Sequence, residues 1–292
     1  MASVGIKTQL RAYWQLTKPN ITILFVITGL TALIVQGTPI FTPQSALILF
    51  AIFCTGASAN AFNQYLERAL DAQMERTRKK RPIPLGHIKP NHALAFVVIG
   101  GTVGILILGL MSNVLAAFLA LTVILFYGFI YTLWLKPRTP YNIVIGGVPG
   151  AMAPLIAWAA VTDTLSPAAC LMFGMVFMWT PPHFWALAIY IKDEYAGVSV
   201  PMLPVVKGVK HTYDQILLYT VILIPMSLLF AWPLGVAGIP YVIMAGILGA
   251  FYLKKTLHMI KTKDPKDAYK TFFFSIAYLF GIFVALMIDQ LI

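Results

Sequence analysis

Carboxylate and amide side chains recur at four-residue intervals in the most charged stretch of this sequence. The residues are Asn63, Glu67, Asp71 and Glu75. On a helix this spacing places them on one slowly drifting face, where like charges repel at a cost of roughly 0.3 kcal/mol per pair. Oxygen ligands of this kind suit a hard divalent cation such as Mg²⁺. The row therefore indicates either a metal site or a solvated, charged loop between two membrane helices.

A basic run follows the acidic row directly. It consists of Arg76, Arg78, Lys79, Lys80 and Arg81. Guanidinium groups match phosphate oxygens in a bidentate geometry, and Mg²⁺ often shares its coordination shell with phosphates. The acidic row and the basic run together favour a metal–diphosphate site within residues 63–90.

A second acidic pair lies much later in the chain. Asp193 and Glu194 are adjacent and follow Lys192. Two acidic clusters on the same membrane face can converge on one diphosphate, each holding a metal ion, and so neutralise a highly charged leaving group. An apolar helix bundle beneath such a site would keep water away from the carbocation that remains.

The elements that must position these residues are membrane helices. The chain has 292 residues, of which 59% are hydrophobic and 11% are charged, and its mean hydropathy is +0.82. This composition lies far from that of soluble proteins and predicts an all-α, polytopic membrane protein with one domain over residues 1–292. We expect nine transmembrane segments, at residues 21–35, 46–62, 93–111, 115–135, 141–161, 168–191, 216–232, 239–253 and 271–292.

The distribution of basic residues predicts the orientation of these segments. All 21 lysines and arginines lie at the N-terminus or in alternate loops, at residues 63–92, 136–140, 192–214 and 254–270. Because cytoplasmic loops concentrate Lys and Arg, we expect a cytoplasmic N-terminus, an external C-terminus and a site that faces the cytoplasm. The net charge of +11 is then a topology signal, and it implies no nucleic-acid partner.

Four sequence blocks resemble the intramembrane prenyltransferases of the UbiA type. The first contains Asn63, Glu67 and Asp71, followed by Arg76-Thr77 and Arg81-Pro82. The others are YTLWLKPRTPYNIVIGGVPGAMAPLIAW at 131–158, WTPPHFWAL at 179–187 and KDEYAGVSVPMLPVVKG at 192–208. The likeness covers residues 14–210 and is closest to the branch that farnesylates haem.

The resemblance implies a reaction. Farnesyl diphosphate would be ionised with the help of Mg²⁺, and the terminal carbon of a vinyl group of haem B would attack C1 of the farnesyl chain. The resulting cation would take up water, which gives a hydroxyethylfarnesyl haem for terminal oxidases. We therefore expect a multi-pass protein of the bacterial inner membrane, in contact with the lipid bilayer and linked to haem A synthase or to terminal oxidase assembly.

The resemblance also implies roles for individual residues. The expected Mg²⁺ ligands are Asn63, Glu67, Asp71, Asp193 and Glu194. The expected diphosphate ligands are Arg76, Arg81 and Lys192. His183 follows two prolines near the end of the sixth segment, where it could ligate the haem iron or position the attacking water. It could equally be a neutral, hydrogen-bonded histidine that packs the helix end.

Other functions remain open at this stage. A prenyltransferase that acts on a small aromatic acid or a quinone precursor would share the acidic motifs, and a non-catalytic haem carrier in oxidase assembly would share the haem-binding features. A transporter would place charges at the bilayer midplane, whereas here they cluster at helix ends. The glycines Gly146, Gly147 and Gly150 favour close helix packing over a porphyrin-binding face.

Overall fold

The computed structural model describes residues 5–292, which form helices joined by loops, so the predicted all-α class is confirmed. The first half contains α1 (Ile6–Leu16), α2 (Pro19–Val35), α3 (Pro43–Leu66), α4 (Arg68–Gln73), α5 (Glu75–Arg78), α6 (Pro90–Met111), α7 (Val114–Leu125) and a π-helix (Phe126–Leu135). The second half contains α8 (Asn142–Gly146), α9 (Val148–Ala151), α10 (Ala153–Thr162), α11 (Pro167–Tyr190), α12 (Lys192–Gly197), α13 (Leu203–Val206), α14 (Gly208–Leu228), α15 (Ile239–Thr262) and α16 (Pro265–Asp289).

Side-chain caps define the starts of several long helices. Thr42, Asn113 and Ser166 each accept a hydrogen bond from the backbone N–H three residues later, at the starts of α3, α7 and α11. Asp264 caps α16 in a similar way. These residues satisfy N–H groups that a first turn leaves without helical partners, so the polar residue before each apolar run fixes where the helix begins.

Five helical stretches are long and apolar enough to cross a membrane, at Pro43–Leu66, Pro90–Met111, Val114–Leu135, Asn142–Thr162 and Pro265–Asp289. The number is six if α1 and α2, which meet at a 50° bend, form one span. Each of the nine predicted segments contains a helix, although α11, α14 and α15 fall outside this set. The eighth segment is longer than predicted, because α15 continues to Thr262.

Small residues allow the helices to approach closely. A Cβ atom at Gly104 of α6 would lie 2.9 Å from the backbone oxygen of Ala51 in α3, which is too close for any side chain. Helix association in membranes depends on packing of this kind, because lipid is as apolar as the helix surface. The main apolar core continues from α2, α3 and α10 through α11 into α14, α15 and α16.

Candidate active site

The acidic row lies where α3 ends, and the chain leaves the helix before the row is complete. Asn63 is in the last turn of α3, Glu67 follows the helix, and Asp71 lies in α4. Met74 is extended, with φ −81° and ψ 127°, so the four residues of the row do not lie on one continuous helix. The break turns Glu75 outward into solvent, where it pairs with Lys79 at 2.5 Å, whereas the first three residues of the row are buried.

Each of the three buried oxygen-bearing residues is held by a basic side chain from another part of the chain. Lys18 Nζ donates to Asn63 Oδ1 at 2.8 Å. Lys136 forms an ion pair with Glu67. Arg81 pairs with Asp71 and also lies 3.4 Å from Glu67 Oε2. The arrangement is therefore a small buried array of alternating charges at one end of the helix bundle.

The amide of Asn63 has a defined orientation. Its Nδ2 donates to Thr132 Oγ1 at 3.0 Å, and Thr132 in turn donates to the backbone oxygen of Tyr127 at 2.7 Å. Both partners belong to the π-helix, a rare form that is often found at functional sites. Because Nδ2 is engaged there, Oδ1 is the atom that accepts from Lys18.

Burial and neighbouring charges shift the ionisation of these groups. Burial alone would raise the pKa of Glu67, but the positive charges of Lys136 and Arg81 outweigh it and hold that pKa at about 2. Burial raises the pKa of Asp71 although Arg81 opposes the rise. Burial, with the nearby charge of Arg81, lowers the pKa of Lys18 to about 7. Glu67 is therefore a carboxylate throughout the physiological range of pH.

The donor set fits a hard divalent cation bound together with an anion. One amide oxygen and two carboxylates offer only oxygen, which is the chemistry that Mg²⁺ takes. Within residues 5–292, no three side chains of His, Cys, Asp or Glu form a cluster that could hold a metal by themselves. Mg²⁺ commonly completes its shell with water and substrate phosphates, so a partial set of protein ligands is the expected arrangement for a metal–diphosphate site.

The second acidic pair is brought to the same end of the bundle by apolar packing. Met74, which follows α4, belongs to one buried cluster with Ile191 and Tyr195 on either side of the pair. Asp193 is exposed to solvent. Glu194 is half-buried, and its Oε2 is buried without a hydrogen-bond partner among the described residues. The geometry thus favours Glu194 over Asp193 as the inward-facing member of the pair.

The predicted diphosphate ligands occupy different environments. Arg81 is engaged with the carboxylates. Arg76 is half-buried, and its Nε is buried with no partner within residues 5–292. Lys192 is half-buried at the start of α12. Arg76 therefore holds an unused donor, and Arg81 contacts the carboxylates through Nη1 alone among its five N–H donors.

His183 lies on α11, where its side chain is buried against α16. Its Nδ1 lies 2.7 Å from Ser275 Oγ, and its ring stacks on Trp179 and Phe272 with centroid distances of 4.1 and 4.4 Å. These contacts come from the helix bundle and not from the charged loops. The hydrogen-bonded, packed environment expected for a structural histidine is present, and it leaves Nε2 as the remaining ring nitrogen.

Sequence reasoning missed Lys18, Lys136 and Thr132. These residues lie 45 to 69 positions from their partners in the acidic row, so no local spacing connects them. One signal was present for Lys136, since it is the only basic residue besides Arg138 in the loop after the π-helix. Lys18 has a left-handed backbone, with φ +50°, at the bend between α1 and α2.

The sequence of this chain matches the UbiA prenyltransferase family over residues 23–278, and the chain belongs to that family. It is therefore a prenyltransferase. A protein named "Protoheme IX farnesyltransferase" from Trichodesmium erythraeum is 44% identical over 96% of this chain and 86% of its own length. Another of the same name from Symbiobacterium thermophilum is 44% identical over 96% of this chain and 94% of its own length.

Solved structures support the fold. A structure of digeranylgeranylglyceryl phosphate synthase superimposes with a TM-score of 0.79 at 22% identity, and covers 97% of this chain and 98% of that chain. A UbiA homologue from Archaeoglobus fulgidus bound to DMAPP and Mg²⁺ superimposes with a TM-score of 0.60 at 13% identity, over 94% of this chain and 99% of that chain. At these identities the likeness establishes the UbiA-type fold. The apolar helices and the family match indicate a multi-pass membrane protein.

Proposed function

We propose that this protein transfers the farnesyl group of farnesyl diphosphate to a vinyl group of haem B. The observation that carries the proposal is the 44% identity, over nearly the whole chain, to proteins named protoheme IX farnesyltransferase. The buried array of oxygen donors and basic groups at one end of an apolar bundle supports it, because such an array matches a metal–diphosphate head group beside a prenyl chain.

Asn63, Glu67 and Asp71 would hold Mg²⁺, which neutralises negative charge on the diphosphate when bound. The hydrogen bond to Thr132 orients the amide of Asn63, so its oxygen is left for Lys18 or for a bound cation. The UbiA homologue that binds DMAPP and Mg²⁺ supports a metal-dependent site in this fold. In these assignments, the three oxygen-bearing side chains of the site would be the protein ligands of the metal ion.

The basic residues of the array would move from protein oxygens to phosphate oxygens. Lys18, Arg81 and Lys136 each contact one of the proposed metal ligands. With Asn63, Glu67 and Asp71 engaged in holding a divalent cation, the three basic groups would be free to bind the oxygens of the diphosphate. Arg76 and Lys192 complete the set of diphosphate ligands. This exchange keeps the buried charges balanced both with and without substrate.

Glu194, with Asp193 as its exposed neighbour, would serve a second Mg²⁺ at the same diphosphate. The buried and unpartnered Oε2 of Glu194 supports this role, because a buried carboxylate oxygen without a partner is costly unless a ligand satisfies it. The packing of Met74 against Ile191 and Tyr195 holds the two charged loops together.

The haem-binding part of the site would lie in the helix bundle. His183 is the candidate that would bind haem iron or take a proton from the water that completes the reaction. We further propose nine membrane spans in one domain, with a cytoplasmic N-terminus and active site, in the bacterial inner membrane. The product would pass to haem A synthase or to the assembly of a terminal oxidase.

Product analysis tests the proposed function directly. The purified protein in detergent is incubated with haem B, farnesyl diphosphate and Mg²⁺, and the haems are examined by mass spectrometry. Farnesylated haem that disappears on addition of EDTA supports the proposal. Haem binding without farnesyl transfer would favour a haem carrier, and farnesylation of a quinone precursor in preference to haem would favour the small-aromatic branch.

A further inference from the structure

Aromatic rings form a nearly parallel stack along the contact between α11 and α16. We call the aromatic ladder the set Trp179, His183, Phe272, Tyr269 and Tyr190, in the order in which the rings follow one another. The centroids of consecutive rings lie 4.1, 4.4, 6.2 and 4.4 Å apart, and the planes of each pair differ by 14° to 26°. The ladder therefore runs from the interior of the bundle to the last residue of α11.

Hydrogen bonds to one residue of α16 fix the inner end of the ladder. Trp179 Nε1 donates to the backbone oxygen of Ser275 at 2.7 Å, and His183 Nδ1 lies 2.7 Å from the hydroxyl oxygen of the same serine. Both rings are buried. The outer rings thus rest on a rigid support, and a surface that is already in its binding conformation loses less entropy when a ligand binds.

The outer end of the ladder is open. Tyr190 is 44% exposed and Tyr269 is 37% exposed. Tyr190 stacks on Tyr269 with one face, and no other aromatic ring within residues 5–292 packs against it. Because aromatic systems favour parallel, offset stacking, the free face of Tyr190 fits one more planar ring system.

Positive charge lies next to this open end. Residues 254–270, which contain the end of α15 and the start of α16, include six lysines and two aspartates. Lys266 is exposed and lies three residues before Tyr269, so the two side chains share one face of α16. Lys270 pairs with Asp267 at 2.7 Å, whereas Lys266 forms no ion pair among the described residues. The open end therefore fits a planar ring system that carries carboxylates.

Tyr190 also borders the charged array. Leu187, one turn before it, and Ile191, directly after it, belong to the buried cluster that contains Met74. The second acidic pair begins at Asp193, three residues after Tyr190. A ligand on the free face of Tyr190 would thus lie at the same end of the bundle as the diphosphate.

We propose that the free face of Tyr190 stacks on the porphyrin of haem B and that Lys266 binds a propionate of the same haem. The inference rests on the proposed function and assigns a subsite to its haem substrate. Haem carries both propionates on one edge and its two vinyl groups on the pyrrole rings opposite, so a propionate contact on α16 leaves the vinyl edge for the prenyl group. Tyr269 is a positioning residue, because it supports the other face of Tyr190.

Haem titration tests the stacking contact without any farnesyl diphosphate. Haem B is added to the purified protein in detergent, and binding is followed by its Soret absorption. Tyr190→Leu should raise the Kd for haem at least about fivefold, whereas Tyr190→Phe, which keeps the ring, should bind haem within about twofold of wild type. Trp134→Leu is the matched control, because Trp134 is an exposed aromatic residue near the end of the π-helix and lies outside the ladder. It should keep the wild-type Kd.

The control also separates haem binding from a general role at the membrane surface. Tyrosine and tryptophan often form a belt at the boundary between lipid and water, and a belt residue contributes to stability without binding a substrate. A belt role alone predicts that Tyr190→Leu and Trp134→Leu change the Kd for haem equally or leave it unchanged.

The propionate contact has its own variant and ligand. Lys266→Gln should raise the Kd for haem B by about threefold or more, and it should leave unchanged the Kd for haem dimethyl ester, whose propionates carry no charge. Lys261→Gln is the control, since Lys261 is exposed on α15 and its loss removes the same charge from the hairpin. The control should bind both haems as the wild type does.

Kinetics of farnesyl transfer complete the test. Tyr190→Leu should raise the KM for haem by at least about fivefold and keep the KM for farnesyl diphosphate within about twofold of wild type, because a general loss of structure would raise both. A wild-type Kd for haem in Tyr190→Leu, or an equal rise in Tyr190→Leu and Trp134→Leu, overturns the inference while the proposed function stands. An equal rise for haem B and its dimethyl ester in Lys266→Gln overturns the propionate contact. Absence of any farnesylated haem from the wild type would instead overturn the proposed function.

Discussion

The ammonium group of Lys18 lies 2.8 Å from the amide oxygen of Asn63 and 5.7 Å from the centre of the Tyr127 ring. A lysine outside the motif-bearing loop thus reaches the oxygen that we propose as a metal ligand. In the same way, Lys136 forms an ion pair with Glu67 and Arg81 forms one with Asp71. In the proposed function these three basic residues would hold the buried anionic and polar groups in place until a cation and an anion bind together.

Replacing Lys18 by methionine should weaken the binding of farnesyl diphosphate. The variant loses a charge-assisted hydrogen bond, so we expect the KM for farnesyl diphosphate to rise by about tenfold or more, with a smaller change in the KM for haem. Steady-state kinetics with each substrate varied in turn measures this. Lys7→Met is the matched control, because Lys7 is exposed in α1. An unchanged KM for farnesyl diphosphate in the Lys18 variant would remove this lysine from the diphosphate site.

Two acidic residues of the same row should behave in opposite ways. Asp71→Asn should reduce farnesyl transfer by more than about a hundredfold, because the substitution removes a buried charge that we assign to the metal. Glu75→Gln should leave activity within about twofold of wild type, since Glu75 is exposed and pairs only with the exposed Lys79 among the described residues. Product assays over a range of Mg²⁺ concentrations test both variants. Equal losses in the two would contradict the break of the row at Met74.

The second acidic pair offers a similar contrast. Glu194→Gln should lower activity by about tenfold or more and raise the Mg²⁺ concentration needed for half-maximal rate, because its buried oxygen has no hydrogen-bond partner among the described residues and we assign it to the metal. Asp193→Asn should have an effect within about twofold, because Asp193 is exposed. Mg²⁺ titration of the initial rate distinguishes the two. A larger loss in the Asp193 variant would reverse the assignment.

Local patterns in the sequence predicted the parts of this protein that depend on local physics. Polar caps before apolar runs set the helix starts, as at Thr42, and the spacing of Asn63, Glu67 and Asp71 indicated a cation site. The exposure of Glu75 to solvent was not predictable from spacing, because it depends on the extended backbone at Met74. Met74 belongs to one buried cluster with residues more than a hundred positions away, such as Ile191, and no local pattern reports that packing.

The basic partners of the site were beyond local patterns for the same reason. Lys18 reaches Asn63 only because α1 and α2 meet at a bend, and Lys136 reaches Glu67 only because the π-helix ends beside it. No regular spacing in the sequence predicts either contact. The two acidic residues Asp193 and Glu194 are equivalent by type and spacing, and only the burial of the second chooses between them.

The last prediction concerns two glycines of the fifth apolar segment, Gly146 and Gly150. It tests whether close helix packing outside the charged array supports the site. A Cβ atom at Gly146 would lie 2.2 Å from the ring of Tyr131, whereas at Gly150 nothing lies within 4 Å. Tyr131 stacks on Tyr127 with a centroid distance of 5.4 Å, and Tyr127 lies beneath Lys18. Gly146→Ala must therefore displace the ring that supports the site.

We expect Gly146→Ala to destabilise the protein by about 1–3 kcal/mol, as overpacking of a close contact usually does, and to reduce the rate of farnesyl transfer. Gly150→Ala should keep wild-type stability and activity, because the added methyl group meets open space. Thermal unfolding in detergent and the product assay together measure the two effects. Identical behaviour of the two variants would mean that Gly146 tolerates a side chain, and the close approach to Tyr131 would then have no part in positioning Tyr127 or Lys18.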